Sequence, residues 1–196
     1  MRVIHPILAV TDRVPTRYLV VEGWIHEYAI DAAISEFRNG TYEVILTTGG
    51  PVQGTGLYTN DFNTSASVAA ERLVAKGMSP SLVHMVPSRA VNRDRTYSSA
   101  QALRTWLNAH AERPTAITIL TEGLHARRTR LLYRLAFEHS VDVGIIAVRN
   151  PDYDSARWWR YSEGVREVLG ESIAFLYARL FFYPAEGSEA VVQTQT

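Results

Sequence analysis

The 196-residue sequence contains no cysteine and a single lysine, Lys76. Without cysteine there are no disulfides, no thiolate nucleophile and no Cys-ligated zinc. The formal net charge is zero, so the chain lacks the global basic field that draws proteins to nucleic acid. It also lacks a long apolar run. The longest near the C-terminus, IAFLYARLFFY, is interrupted by Arg179 and too short to span a bilayer. The opening MRVIHPILAVTDRVPTR is broken by Pro6, Asp12 and Pro15 and does not read as a secretory signal. Neither a G-x-G-x-x-G spacing nor a Walker lysine is present, which removes the dinucleotide fingerprint and the P-loop. The expectation from these absences is a cytoplasmic protein with no membrane span and no nucleic-acid partner.

What is present is an alternation. Five apolar, mostly β-branched runs recur: YLVV (18–21), VIL (44–46), LVHMV (82–86), AITIL (116–120) and VGIIAV (143–148). Nearly continuous apolar runs suit strands buried on both faces. Helical spacing separates them, around Ile30, Ala33, Ile34 and Phe37, then Val68 to Val74, then Ala100, Leu103, Trp106 and Leu107, then Leu124, Leu131, Leu132 and Leu135. A long fifth pattern takes Trp158, Tyr161, Val165, Val168, Leu169, Ile173, Leu176 and Leu180 as one core-facing stripe. Alternating strands and helices predict a three-layer α/β/α sandwich. The expected sheet is Rossmann-like, parallel and five-stranded, in the order 3-2-1-4-5. The expected domain covers residues 18–183, after an N-terminal extension (1–17) and before a flexible polar tail (184–196).

Loop lengths locate the functional edge. Helix-to-strand connections are terse, as in NGT, GMSP and AERP. Strand-to-helix connections are long: TTGGPVQGTGLYTNDF, PSRAVNRDR and RNPDYDSAR. In a parallel sheet the long set lies together at the carboxyl edge, where open α/β sheets bind ligands.

Several residues on that edge are candidates. Glu22 follows the first strand directly and is either a proton-handling carboxylate or a local ion-pair partner. Gly23 next to it would let a ligand approach the backbone, and Trp24 is a further ligand-binding candidate. Gly49 and Gly50 form either an anion-binding nest or a plain turn. In the third loop, Arg93, Arg95 and Thr96 precede a helix start, a favourable place for phosphate or carboxylate. Ser98 with Gln101 has capping-box spacing, while Asp94 is an alternative cap. Trp159, adjacent to a core Trp158, must face elsewhere. Glu22, Asp94 and Asp152 have no metal-ligand spacing, so no metal is expected.

The fourth strand leads into TEGLHARRTRLL, where His125, Arg127 and Arg128 crowd a helix start. Cations there oppose the helix dipole. An anionic ligand is therefore expected beside His125 and Arg128, and removal of Arg128 is expected to weaken ligand binding while sparing the empty chain. His125 is a candidate general acid or base, because an imidazole titrates near neutrality.

The motifs occur in a familiar order. They are Val21-Glu22-Gly23, Thr48-Gly49-Gly50, Thr96-Tyr97-Ser98-Ser99-Ala100, His125-Ala126-Arg127-Arg128 and Val165-Arg166-Glu167. In this order the chain resembles the YdcF/SanA/ElyC-like family, a domain of unknown function, over roughly residues 18–183. The resemblance implies a Rossmann-like fold with a nucleotide-binding type of topology. It also implies a link to cell-envelope chemistry, although the membrane helix of several family members has no counterpart here. Ser99 stands where the family commonly has asparagine, and Glu22 and Trp24 replace small or apolar residues.

Three functions fit these observations. The first is an enzyme, a hydrolase or transferase, acting on an anionic and phosphorylated or nucleotide-like small molecule, envelope precursors included. Arg and Gly residues would hold the phosphate, and His125, oriented by Glu22, would carry a proton. The second is a metabolite-binding module without turnover. The third is a scaffold for an acidic partner segment. No cofactor is indicated by any motif.

Overall fold

The computed structural model describes residues 3–52, 64–89, 94–110 and 112–183. Arg93, most of the loop after the second strand and the tail from residue 184 lie outside the described residues. The chain folds as α1 (Ile4–Leu8), β1 (Tyr18–Glu22), α2 (Glu27–Asn39), β2 (Val44–Gly49), α3 (Ser65–Ala75), β3 (Val83–Pro87), α4 (Arg95–Ala109), β4 (Ala116–Glu122), α5 (Ala126–Ala136), β5 (Asp142–Val148) and α6 (Ser162–Leu180). The five strands form one sheet in the order β3-β2-β1-β4-β5, with every named pairing parallel.

Side-chain alternation along the strands divides the core. Leu19 and Val21 of β1, with Ile45 of β2, pack under α2 and α3. Tyr18 and Val20, with Leu46, Ile117 and Ile119, pack under α4 and α5. The result is a Rossmann-like three-layer sandwich with helices on both faces. Full burial of each Leu, Ile or Val contributes about 1.5–3 kcal/mol, so both layers are held by the hydrophobic effect. The same alternation carries the polar residues at the strand ends. Glu22 follows Val20 by two and Thr48 follows Leu46 by two. Thr121 follows Ile119 by two. All three therefore lie on the α5 side of the sheet.

The segment before β1 is docked on the domain. Asp12 and Ile145 exchange antiparallel backbone hydrogen bonds of 2.8 Å in both directions, which covers the outer edge of β5. Arg130 of α5 donates to the Asp12 carboxylate at 2.6 Å. Arg127 donates to the Ile7 carbonyl. Leu8 of α1 joins Leu124, Tyr153, Trp158 and Val168 in a small third cluster.

Two expectations about helices are corrected. The long fifth pattern is two elements, a 3-10 turn at Ser155–Arg160 and α6. Trp158 is buried and Trp159 packs edge-on against it, away from the cavity described below. In α6 the inward stripe is Gly164, Val168, Glu171, Phe175 and Ala178, not the larger Leu169, Ile173, Leu176 and Leu180, which are all more than half exposed. Gly164 lets the start of α6 lie close to the 3-10 turn, and Glu171 is admitted by its pairing with Arg128. In Gly164, an added Cβ would stand 2.6 Å from the Trp158 carbonyl oxygen.

Candidate functional site

The carboxyl ends of β1 and β2, the turn after β4 and the starts of α3, α4 and α5 surround a cavity of about 550 Å³. Glu22 and Trp24 reach it from β1, and Gly49 and Gly50 from β2. Arg95 and Thr96 reach it from the first turn of α4, and His125 and Arg128 from the start of α5. Thr48, Ser65, Asp94 and Ser99 line it as well, and its far wall is mostly apolar: Leu132 of α5 with Ala174, Tyr177, Ala178 and Phe182 in and after α6. The fold therefore gathers eight of the ten candidates in one place.

Gly23 and Ser98 stay outside the cavity. A Cβ on Gly23 would lie 2.1 Å from the Ser65 carbonyl oxygen, so the close neighbour is the first turn of α3 and not a ligand. Gly49 has φ +151°, and its Cβ would lie 2.8 Å from that of Ser65. The Gly50 carbonyl accepts from Ser65 N–H at 2.8 Å. The two glycines thus let β2 turn directly beneath α3, which Thr64 caps with Ser67 in reciprocal fashion. Ser98 is not the cap of α4. That position is Asp94, in a left-handed conformation with φ 52°, and its carbonyl accepts from Ser98 N–H at 2.8 Å. The serine facing the cavity is Ser99, which shares a 3.2 Å hydroxyl contact with Ser88.

Glu22 is almost fully buried. Thr121 and Thr129 donate to its Oε2, the latter at 3.2 Å. Burial raises its pKa above the ordinary carboxylate value. The Thr121 bond, the nearby Arg128 charge and the other donors oppose this without reversing it. Behind it, Tyr133 exchanges a 3.0 Å hydrogen bond with Thr48.

The cations at the start of α5 meet an anion from within the chain. Arg128 donates from Nε and Nη2 to the two carboxylate oxygens of Glu171 at 2.9 and 3.1 Å. Glu171 comes from α6, 43 residues on, and is buried. It opposes the unfavourable dipole term that the sequence raised. The expectation that Arg128 can be removed without cost to the empty chain is revised accordingly: its loss would strand a buried carboxylate.

His125 is positioned by this pair and not by Glu22. Arg128 Nη2 lies 2.8 Å from Nδ1, and Glu171 Oε1 lies 3.0 Å from the same nitrogen. A guanidinium nitrogen only donates and a carboxylate only accepts, so Nδ1 accepts from Arg128 when it carries no proton and donates to Glu171 when it does. The indole of Trp24 packs edge-on to the ring, with centroids 4.5 Å apart. Burial lowers the His125 pKa below its usual value; Glu171 opposes this, Arg128 reinforces it and Glu122 opposes it more weakly. The side chain is still 33% exposed, toward open space. It forms part of the wall between the main cavity and a smaller one of about 190 Å³, lined by Glu122, Glu167 and Glu171 among others.

Arg95 has no carboxylate partner among the described residues, although it stands at the same cavity. The first turn of α4 carries no acidic residue. Its early N–H groups and the aligned dipole make this end of the cavity receptive to an anion. Among the described residues no group of three or more His, Asp and Glu side chains could hold a metal ion. Glu22, Asp94 and Asp152 form no such group. No described helix is long and apolar enough to cross a membrane.

Glu171, Ser99, Thr121, Thr129 and the α6 wall were missed by the sequence reading. For Glu171 a signal existed: it stands on the stripe of Gly164, Val168, Phe175 and Ala178, where a charge is out of place unless paired. Compared with known proteins, the chain matches no family model and no curated sequence.

Proposed function

We propose that the protein is an enzyme acting on a small molecule in which an anionic group, phosphate foremost, is joined to an apolar or aromatic body. The observation that carries this reading is the convergence of Arg95, His125 and Glu22, from three different elements, on one cavity with an apolar far wall. Arg95 and the start of α4 take the anion. Leu132, Tyr177 and Phe182 take the body. Burial raises the proton affinity of the Glu22 carboxyl and lowers that of the His125 imidazole, so the two approach each other. Glu22 exchanges the proton, and His125 donates its Nε2–H to a substrate oxygen. A hydrolase or transferase of phosphorylated or nucleotide-like compounds is the reaction class this favours. The resemblance to YdcF-like proteins points the same way and extends it to cell-envelope precursors.

A second reading, a metabolite-binding module without turnover, is favoured by one contact. Arg128 at 2.8 Å and Glu171 at 3.0 Å both engage Nδ1 of His125, and a ring held in place suits binding as well as catalysis. The two readings separate experimentally. A thermal-shift screen against phosphorylated metabolites identifies ligands, and each is then assayed for conversion. The enzyme reading predicts turnover that falls by about 10²–10⁴ in Glu22→Gln while binding survives. Stabilising ligands that the natural protein never converts would establish the module instead.

A further inference from the structure

The outward face of α6 is apolar and uncovered among the described residues. Leu169, Ile173, Leu176 and Leu180 are each more than half exposed. They recur at spacings of four, three and four residues, which is the a/d repeat of a two-helix seam. Tyr177 flanks the stripe, and Phe181 and Tyr183 lie just beyond the end of α6, all at least half exposed. Together these side chains expose on the order of 800 Å². The largest apolar patch on a typical monomer is about 300–600 Å². About 800 Å² per partner is what a stable protein–protein interface buries.

We propose that this face is an interface between two copies of the chain, with their α6 helices packed antiparallel about a two-fold axis. The stripe is its own complement. In an antiparallel pair centred between Ile173 and Leu176, each Leu169 meets Leu180 of the other copy, and each Ile173 meets Leu176. A two-fold contact requires this self-matching. The flanking positions Gly170, Ser172, Tyr177 and Arg179 carry one charge among them, so no like-charged pair opposes the contact. A lipid surface fits less well. Interfacial helices carry Lys and Arg on the polar face, whereas α6 has Glu163, Glu167 and Glu171 against Arg166 and Arg179. Residues 184–196 hold only Val191 and Val192 as larger apolar side chains, too few to cover the patch. Tyr177 flanks the seam and also lines the cavity, so the second copy borders the cavity mouth. The interface itself stands whether or not the functional reading does.

Sedimentation equilibrium of the full chain at roughly 10–100 μM tests the proposal. The expected species is twice the mass of one chain. Ile173→Asp should weaken association by about a hundredfold. Its far-UV spectrum should not change, because the position is exposed. Should that variant misfold, Ile173→Cys supplies an independent reading in a chain with no natural cysteine. Mild oxidation should cross-link it, while Ser35→Cys on exposed α2 should stay monomeric. A dimer that persists in folded Ile173→Asp overturns the proposal. So does a monomeric full chain that dimerises only when shortened after Tyr183, since the tail would then be the cover. A monomer that floats with phosphatidylcholine vesicles overturns it in favour of a lipid surface.

Discussion

Arg95 and Arg128 stand at the starts of two helices that meet at one cavity, and their charges are balanced differently. Arg128 is held in a fork by buried Glu171, which also touches His125. Arg95 has no carboxylate partner among the described residues. Each cation opposes a helix dipole, by roughly 0.3–1 kcal/mol where exposed. At α5 the chain supplies the compensating anion itself. At α4 the cap residue Asp94 also lines the cavity, but among the described residues no carboxylate pairs with Arg95, which leaves its guanidinium to an external anion. Two similar sequence features thus divide into a positioning pair and a binding residue.

The largest expected effect tests the first half of this contrast. Arg128→Met should lower the stability of the empty chain by about 3–5 kcal/mol, because it strands the Glu171 carboxylate. Combining it with Glu171→Leu should recover most of the loss in chemical-denaturation curves. A single variant within about 0.5 kcal/mol of the natural protein would place Arg128 beside Arg95 as an uncompensated cation.

The second half carries the next effect. Arg95→Ala should weaken binding of a phosphate ester by about 1.5–3 kcal/mol, the range of a hydrogen bond to a charged group. Stability of the empty chain should move by no more than about 0.5 kcal/mol. Calorimetric titration and a melting curve on the same sample measure both. A large loss of stability with unchanged affinity would make Arg95 structural.

Glu22 asks whether the Arg128 charge is spent on Glu171 alone or shared. Its folded pKa is raised above 4.5, burial outweighing Arg128. The protonated form is therefore favoured on folding. That contribution is complete below the unfolded pKa and is lost as pH rises toward the folded value. Glu22→Gln should leave the melting temperature unchanged near pH 4 and raise it at pH 8, by about 2–4 °C for each kcal/mol relieved. A variant that is less stable at pH 8 would show that Arg128 holds Glu22 ionised.

Much of this arrangement was legible in the sequence, for stated reasons. Continuous apolar runs such as AITIL reveal strands buried on both faces. Terse helix-to-strand connections fix which edge is open. Two-residue alternation then carries Glu22, Thr48 and Thr121 to one side of the sheet. What was not legible depended on contacts between distant elements. Glu171 reaches Arg128 from 43 residues away. In α6 two stripes compete, and the larger Leu169–Ile173–Leu176–Leu180 set was taken for the core because hydrophobicity alone ranks it first. The inward stripe includes Gly164, which admits the Trp158 carbonyl, and Glu171, which meets Arg128, and both depend on tertiary contacts. Gly23 was misread for a similar reason: the backbone it admits belongs to α3.

The central claim is that one cavity takes an anion on Arg95 and an apolar body on the α6 wall. Difference density from a crystal soaked in phenyl phosphate tests it most directly. The phosphate should lie within hydrogen-bond distance of Arg95 and the first turn of α4, with the ring against Leu132 and Tyr177 and a phosphate oxygen beside His125. Phosphate bound to Arg128 with Glu171 displaced, or found only outside the cavity, would contradict the account.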